Sequence, residues 1–157
     1  MRSAHFICHV DAAEVDILWH HLKKWCPNAE AQAEEGYVRP LKVEWAEQET
    51  LLRKIFFTKA PKKVFSFYSF ATRWVGPHVD EEVVGDYTVG LVLRGNHVLF
   101  TGNGRAVCKL EPGTVFLLNN KKLHGAKPAE KNLAEPLLFV TADFVAESDR
   151  HALSLCT

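Results

Sequence analysis

Three residues, His78, Asp80 and His124, combine the side chains and the spacing of a single metal site. Successive side chains of an extended strand point to opposite faces, so His78 and Asp80 present an imidazole and a carboxylate on one face. His124, 44 residues beyond Asp80, supplies a third donor from a distant strand. Two histidines and one carboxylate on one side of a metal leave the opposite positions open, and this donor set is typical of non-haem Fe(II) sites. The pattern therefore predicts an iron centre with positions open to exogenous ligands.

The part of the chain that carries these residues has the pattern of short β-strands. Residues 64–75 alternate apolar with small polar side chains and are rich in aromatic and β-branched types. Further strands are predicted at 87–93, 96–101, 106–110, 114–118 and 136–144. Glycine, proline and asparagine separate them, and Asn103-Gly104 is a strong hairpin signal. Short strands at a spacing of roughly 8 to 12 residues predict an antiparallel sandwich or barrel.

Helices are predicted before the strand region. Asp11, followed three residues later by Glu14, fits a helix-capping box. A stripe of apolar residues then recurs at helical spacing, at Val15, Leu18, Trp19, Leu22 and Trp25. A second, weaker stripe consists of Trp45, Gln48, Leu52, Ile55 and Phe56. We therefore predict one domain over residues 1–157, in which 1–63 form a helical support, 64–144 the β core and 145–157 a C-terminal tail.

The composition is that of a globular protein with balanced charge. Of 157 residues, 47% are hydrophobic and 24% are charged, which fits one folded domain and not a disordered chain. Nineteen basic residues balance nineteen acidic ones, so the bulk cationic field that drives nucleic-acid binding is absent. Lys59, Lys62 and Lys63 form a local basic cluster, which leaves a nucleic-acid partner open as the less favoured alternative. A small molecule or a protein side chain is the expected substrate.

Cysteine usage and hydropathy indicate a reducing compartment. The cysteines, Cys8, Cys26, Cys108 and Cys156, include no CxxC pair, and four reduced thiols are expected. The N-terminal apolar patch is far shorter than a signal-peptide core, and no stretch approaches the roughly 18 apolar residues of a membrane span. The sequence therefore predicts a cytoplasmic protein without a membrane partner.

Four segments resemble the double-stranded β-helix core, a jelly roll, of the Fe(II)/2-oxoglutarate-dependent oxygenases. They are VGPHVD at 75–80, YTVGLVL at 87–93, LEPGTVFLL at 110–118 and LHGA at 123–126. The resemblance covers about residues 64–144, which is half of the chain. It implies that His78, Asp80 and His124 hold Fe(II) and that 2-oxoglutarate chelates the iron as cosubstrate. It also implies a dioxygenase that hydroxylates or demethylates an unidentified substrate.

The 2-oxoglutarate site is the part of the pattern that departs from the family. Many relatives carry an arginine or lysine on the last core strand, about ten residues beyond the distal histidine, to pair with the far carboxylate. Residues 136–144 contain no such base. Residues elsewhere are therefore candidates for binding the cosubstrate: Arg94, His97, Lys127 and Lys131. Arg94 is favoured, because strand alternation places it on one face with small residues of the strand 87–93. Tyr68, ten residues before His78, lies where relatives often use a tyrosine to hydrogen-bond the cosubstrate, with core packing as the alternative.

Two alternative functions remain open. A cupin has the same double-stranded β-helix, and the order of motifs from the HxD turn through Pro112-Gly113 to His124 also resembles a cupin. Asp80, where cupins usually carry a second histidine, favours the oxygenase, whereas the short interval from Asp80 to His124 suits a compact cupin. A cupin-type metal protein that does not use 2-oxoglutarate would be a dioxygenase, an isomerase or a small-ligand sensor. A chain of this fold that binds no metal would be a binding module.

Overall fold

Two antiparallel β-sheets make up the core of the computed structural model, which describes residues 4–42, 49–56, 64–81, 85–131 and 135–144. The strands of these residues are, in chain order, β1 (Ala4–His9), β2 (Arg39–Leu41), β3 (Val64–Thr72), β4 (Val75–His78), β5 (Tyr87–Arg94), β6 (His97–Thr101), β7 (Ala106–Leu110), β8 (Thr114–Asn119), β9 (His124–Pro128) and β10 (Leu137–Phe144). The helices are α1 (Ala12–Trp25) and α2 (Glu49–Phe56), with a short 3-10 turn at Glu30–Gln32. The larger sheet has the order β1-β8-β5-β10-β3-β2, and the smaller sheet has the order β4-β9-β6-β7. The prediction of a mainly β fold with few helices is confirmed.

Strand β10 shows how the larger sheet separates two apolar layers. Leu138, Val140 and Ala142 join the core that also contains the helices. Phe139 and Thr141, at the alternate positions, face the space between the two sheets. Because side chains of a strand alternate with a period of two, this pattern determines which residues can reach a ligand. The larger sheet therefore supports the helices with one face and lines a ligand-sized space with the other.

Helix α1 packs its apolar stripe against the larger sheet, as the sequence predicts. The carboxylate of Asp11 accepts a hydrogen bond of 2.7 Å from the backbone N–H of Ala13, which caps the helix. Leu18 and Trp19 are buried in the core that contains the outer face of the sheet. Trp25, at the end of the stripe, is 39% exposed. The stripe is thus a packing feature, and only its last residue lies outside the core.

Helix α2 confirms the second apolar stripe for the residues that the structure describes. Leu52, Ile55 and Phe56 are buried in the same core as α1. Trp45 and Gln48, the first two residues of that stripe, lie outside the described residues.

The structure contains three strands that the sequence analysis does not predict. β1 pairs with β8 and β2 pairs with β3, so the N-terminal third, predicted to be helical, also supplies both edge strands of the larger sheet. β9 pairs with β4 and with β6 in the smaller sheet. Proline and glycine are depleted in strands, and they occur in β2 at Pro40 and in β9 at Gly125 and Pro128. These residues interrupt the apolar alternation from which a strand is predicted. In addition, residues 64–75 form two strands and not one, because the chain passes from the larger sheet in β3 to the smaller sheet in β4.

The cysteines and the helices can be compared with the expectations of reduced thiols and of no membrane span. Cys26 and Cys108 are free thiols, whereas Cys8 is disulfide-bonded, so the expectation of a reduced thiol is wrong for Cys8. Burial raises the pKa of the Cys108 thiol to about 11. Among the described helices, none has the length and the apolar character needed to cross a bilayer.

Gly90 of β5 is a point of close packing that can be tested. It lies opposite Phe116 of β8, and a Cβ added to Gly90 would come within 2.2 Å of the Phe116 ring. Gly90→Ala forces the ring to move, and we expect a loss of about 1–3 kcal/mol in the free energy of unfolding. Gly76→Ala is the control, because its Cβ would meet nothing within 4 Å, and we expect a change within about 0.5 kcal/mol. Urea unfolding measures both variants, and equal midpoints would contradict the packing described.

Candidate metal centre

His78 and His124 are brought together by the pairing of β4 with β9. They are direct Cα partners across the two strands, and their ring centroids lie 4.6 Å apart. Asp80 follows two residues after His78, and its backbone N–H donates to the carbonyl of Asn120 at 3.0 Å. Asn120 is buried, and its side-chain amide donates to the carbonyl of Gly85 at 2.9 Å. The chain just before β9 therefore holds the chain just after β4, and with it the Asp80 carboxylate, beside the two imidazoles.

The donor atoms of the three residues converge. Nε2 of His78 lies 3.3 Å from Oδ1 of Asp80, and Nε2 of His124 lies 3.2 Å from Oδ2 of Asp80. One ligand atom from each residue lies within 4.8 Å of the other two. Metal–ligand bonds of roughly 2.0–2.2 Å place neighbouring donor atoms about 3 Å apart, so this spacing fits a single ion. The convergence that the HxD spacing predicts is therefore present in the structure.

Hydrogen bonds to backbone carbonyls orient both imidazoles. Nδ1–H of His78 donates to the carbonyl of Gly76 at 2.9 Å, and Nδ1–H of His124 donates to the carbonyl of Lys122 at 2.9 Å. With the proton assigned to Nδ1 on this ground, each Nε2, which faces Asp80, is left as the metal-binding atom. Such outer hydrogen bonds fix the tautomer and the ring orientation of metal-binding histidines. Both rings are thus oriented by the protein itself.

The Asp80 carboxylate and the His78 imidazole perturb each other's protonation. Burial by itself would raise the pKa of Asp80, but the hydrogen bonds from His124 and His78 outweigh burial and hold the pKa of that carboxyl well below its usual range. The hydrogen bond to Asp80 raises the pKa of His78, against the opposing effect of burial. The site therefore favours positive charge beside the carboxylate, which a proton on imidazole or a divalent cation supplies. Because both use the same atoms, metal binding releases protons and weakens as the pH falls.

The centre lies on the wall of a cavity of about 380 Å³ between the two sheets. Its walls are mainly apolar, with residues from both sheets that include Leu99, Leu110, Phe116, Leu118, Leu137 and Phe139. Apart from the three metal-site residues, its polar side chains are Tyr68, Thr72, Thr88, Thr141 and Asp143. Among the lining residues that the structure describes, none is a lysine or an arginine. A cavity of this size and character suits a small organic molecule.

Of the five residues predicted to bind the cosubstrate, Tyr68 lines the cavity and the other four lie elsewhere. His97 is fully buried, and its Nε2–H donates to a backbone carbonyl at 2.7 Å. Burial also lowers the pKa of His97, which favours the neutral ring. Lys127 lies over the ring of Phe100, 5.7 Å from its centroid, and Lys131 is exposed beyond β9. Neither lysine is therefore in a position to contact a ligand in the cavity.

Arg94 lies on the opposite side of the larger sheet from the cavity. Its guanidinium stacks on Trp19 of α1, 4.6 Å from the ring centroid. The pairing of β5 with β10 shifts register between Val92 and Arg94, so Leu93 is an extra residue in β5. A bulge of this kind reverses the alternation beyond it. The prediction that Arg94 shares a face with the small residues of β5 is therefore wrong.

Asp143 lines the cavity and is not among the residues predicted from the sequence. The carboxyl is buried, and it accepts a hydrogen bond of 2.6 Å from the hydroxyl of Thr88 on β5. Burial raises the pKa of Asp143 to about 6. The hydrogen bond from Thr88 lowers this pKa, and the nearby charge of Asp80 raises it further. The alternation along β10 puts Asp143 on the same face as Phe139, and this period of two is the signal from which its position could be predicted.

The raised pKa of Asp143 predicts a pH dependence of stability in the metal-free protein. A carboxyl whose pKa rises from 3.8 to about 6 on folding holds its proton more tightly when folded, so stability falls as the pH rises from about 4 to about 6. Between about pH 5 and about pH 7.5, we expect the wild type to lose on the order of 1 kcal/mol of unfolding free energy relative to Asp143→Asn. Urea unfolding at the two pH values measures this difference.

Thr141→Val is the matched control for Asp143→Asn. It changes a neighbouring side chain on the same face of β10 and removes no ionisable group. Its offset from the wild type should be the same at both pH values. An offset for Asp143→Asn that does not change with pH would contradict the environment described for this carboxyl.

The chain is similar to one protein family and to several solved structures. Residues 66–140 match the family model of the AraC-like ligand binding domain. No curated protein matches the chain. Among solved structures, the non-heme alpha ketoglutarate dependent carbocyclase SnoK from nogalamycin biosynthesis aligns over 96% of this chain and 85% of its own chain, with a TM-score of 0.62 and 11% identity.

Two cupin structures also align with this chain. A cupin superfamily protein from Desulfitobacterium hafniense DCB-2 aligns over 73% of this chain and 84% of its own, with a TM-score of 0.43 and 14% identity. The cupin domain of an XRE family transcriptional regulator from Enterobacter cloacae aligns over 71% of this chain and 97% of its own, with a TM-score of 0.40 and 16% identity. At 11% identity, the alignment with the carbocyclase shows the fold alone. The chain therefore has a jelly-roll fold, of which residues 66–140 match the family model of the AraC-like ligand binding domain.

Proposed function

We propose that the chain is a metal-dependent cupin enzyme, a non-haem Fe(II) dioxygenase that acts on a small organic substrate. The observation that carries this proposal is the convergence of Nε2 of His78, Nε2 of His124 and the Asp80 carboxylate on the wall of an apolar cavity. Two imidazoles and one carboxylate suit Fe(II) with coordination positions left open. The adjoining cavity gives a substrate room beside those positions.

Each residue of the centre has a role that follows from its contacts. Bound Fe(II) supplies the redox chemistry with O2, which amino-acid side chains cannot supply. His78 and His124 hold the ion through Nε2, and the carbonyls of Gly76 and Lys122 keep the rings aimed at it. Asp80 neutralises one of the two positive charges. The apolar walls position the carbon skeleton of the substrate and keep bulk water away from it.

A second candidate is the Fe(II)/2-oxoglutarate-dependent dioxygenase that the sequence motifs resemble. It is supported by the alignment with the alpha ketoglutarate dependent carbocyclase and by Tyr68, which lines the cavity. Two features oppose it: among the described lining residues there is no lysine or arginine, and the last core strand carries the acid Asp143 instead of a base. A dicarboxylate in this cavity would add unpaired negative charge next to an existing carboxyl, which is costly. We therefore place dioxygenase chemistry without 2-oxoglutarate first.

A binding module without metal is the alternative that the AraC-like match alone would favour. The geometry of the imidazoles favours a metal site over it. Both Nδ1 atoms are already paired with carbonyls, and both Nε2 atoms face the same carboxylate. Metal analysis separates the two possibilities directly.

The first prediction of this proposal concerns metal retention. Protein loaded with Fe(II) under argon should hold about one equivalent of iron after desalting. His124→Ala and Asp80→Ala each remove a donor atom, and we expect the affinity to fall on the order of 100-fold or more, since changes in outer hydrogen bonds alone typically cost 10–100-fold. Elemental analysis and competition with a chromophoric chelator measure the stoichiometry and the affinity.

The matched control for metal retention is His20→Ala. His20 is an exposed histidine of α1 whose Nδ1 bonds to the carbonyl of Asp16, outside the cavity. This variant should bind iron as the wild type does. One equivalent of tightly held iron in His124→Ala would exclude His124 as a ligand.

The second prediction separates the two dioxygenase candidates. Anaerobic titration of the Fe(II)-loaded protein with 2-oxoglutarate should produce no visible charge-transfer band, because the described cavity offers no cation for the far carboxylate. The assay is followed by absorption spectroscopy, with free Fe(II) and 2-oxoglutarate as the blank. A saturable band at one equivalent would make the 2-oxoglutarate-dependent reaction the correct assignment.

A further inference from the structure

The cavity contains a second polar group that the metal centre does not use. We propose that Asp143 and Thr141 bind a positively charged nitrogen of the substrate, so that the substrate is a small amine with an apolar body. This inference rests on the proposed function in one respect, because it takes the cavity beside the metal centre as the substrate site.

The register of β10 aims both side chains into the cavity. Thr141 and Asp143 are two residues apart and both line the cavity. Across the sheet, Asp143 pairs with Thr88 and Thr141 pairs with Gly90 of β5. Gly90 has no side chain, and the ring of Phe116, which also lines the cavity, fills the space that a Cβ there would take. Thr141 and Asp143 therefore form one polar patch, beside Thr88, in a cavity whose walls are mainly apolar.

Thr141 provides an observation that is independent of the acid. Its side chain is 2% exposed, and its hydroxyl has no hydrogen-bond partner among the residues that the structure describes. Buried hydroxyls nearly always have a partner, because leaving one unpaired is unfavourable. A hydroxyl oxygen can accept a hydrogen bond from an ammonium group while Asp143 supplies the opposite charge. The unpaired hydroxyl thus indicates that a ligand group completes the patch.

The charged side chains around the cavity favour a ligand group with a positive charge. The described lining residues include no lysine or arginine to pair with Asp143. Burial and the nearby Asp80 charge both raise the pKa of Asp143, and a cationic partner would oppose both effects. With a divalent ion in place, Asp80 and Asp143 together balance its charge, so a dianionic ligand would leave two negative charges in excess. An ammonium group is attracted to the patch, and a carboxylate is repelled by it.

The aromatic residues of the cavity are consistent with a cationic ligand. Rings of Tyr68, Phe70, Phe116 and Phe139 line the same space as Asp143. Phe70 and Phe139 have centroids 5.4 Å apart, and Phe116 meets Phe139 edge-on at 6.0 Å. Aromatic faces attract ammonium ions, and they also bind apolar bodies. An arylalkyl or alkyl amine therefore matches both the walls and the polar patch.

The test uses three probes of one shape and different charge: 2-phenylethylamine, 2-phenylethanol and 3-phenylpropionate. Their binding to the wild type is measured by calorimetry near pH 7.5, with Fe(II) loaded under argon and with metal removed. We expect the amine to bind at least about tenfold more tightly than the alcohol, and the carboxylate to bind most weakly. Because the same order is expected without metal, direct coordination of a probe to the ion cannot explain it.

Variants assign the selectivity to the patch. Asp143→Asn keeps the shape of the side chain and should remove the preference for the amine over the alcohol, with alcohol binding changed less than about twofold. Thr141→Val should weaken the amine several-fold and serves as the second variant if Asp143→Asn folds poorly by thermal melting. Asp16→Asn, at an exposed acid of α1, is the matched control and should leave all three affinities unchanged.

Three outcomes would overturn the proposal. They are an equal preference in the wild type and Asp143→Asn, binding of 3-phenylpropionate as tight as that of the amine, and no binding of any probe to the wild type. The measured iron stoichiometry distinguishes a failure of the amine proposal from a failure of the proposed dioxygenase function. Loss of iron binding with intact amine selectivity would remove the dioxygenase and leave the amine site, and the reverse result would remove only the amine site.

Discussion

The antiparallel pairing of β4 with β9 is the constraint on which the site depends. It sets His78 opposite His124, and the backbone bond from Asp80 to Asn120 adds the carboxylate. A slip of one residue in this ladder would turn an imidazole to the other face of the sheet. The register of the smaller sheet therefore brings His124 beside His78 and Asp80, which are close to each other in the sequence, and so forms one set of donors.

The larger sheet provides the opposite wall of the cavity. The alternation along β10 sends one set of residues into the helix-covered core and the other into the cavity, where Thr141 and Asp143 lie. The cavity consequently has the candidate metal centre beside the smaller sheet and the Asp143 carboxyl on the larger sheet, with apolar residues of both sheets around them. Their charges are complementary to a bound divalent ion together with a cationic ligand, and they oppose a dicarboxylate.

How much of this can be predicted from sequence depends on whether the signal is local. The HxD motif indicates two donors by the spacing of strand alternation, although β4 ends at His78 and the backbone bond to Asn120 positions Asp80. The strands β5 to β8 and β10 keep a clear apolar pattern between turn residues. β2 and β9 contain proline or glycine and are recognisable only from their partners. The side on which Arg94 lies depends on a bulge at Leu93, which arises from the register with β10 and has no signature within β5. The period of two along β10 that puts Phe139 in the cavity also predicts the position of Asp143.

X-ray absorption spectroscopy of the Fe(II)-loaded protein tests the central claim most directly, because it reports the atoms bound to the ion. The structure predicts nitrogen and oxygen scatterers at roughly 2.0–2.2 Å, with the multiple-scattering pattern of two imidazoles. A spectrum without imidazole scattering, or with sulfur at about 2.3 Å, would contradict the site formed by His78, Asp80 and His124.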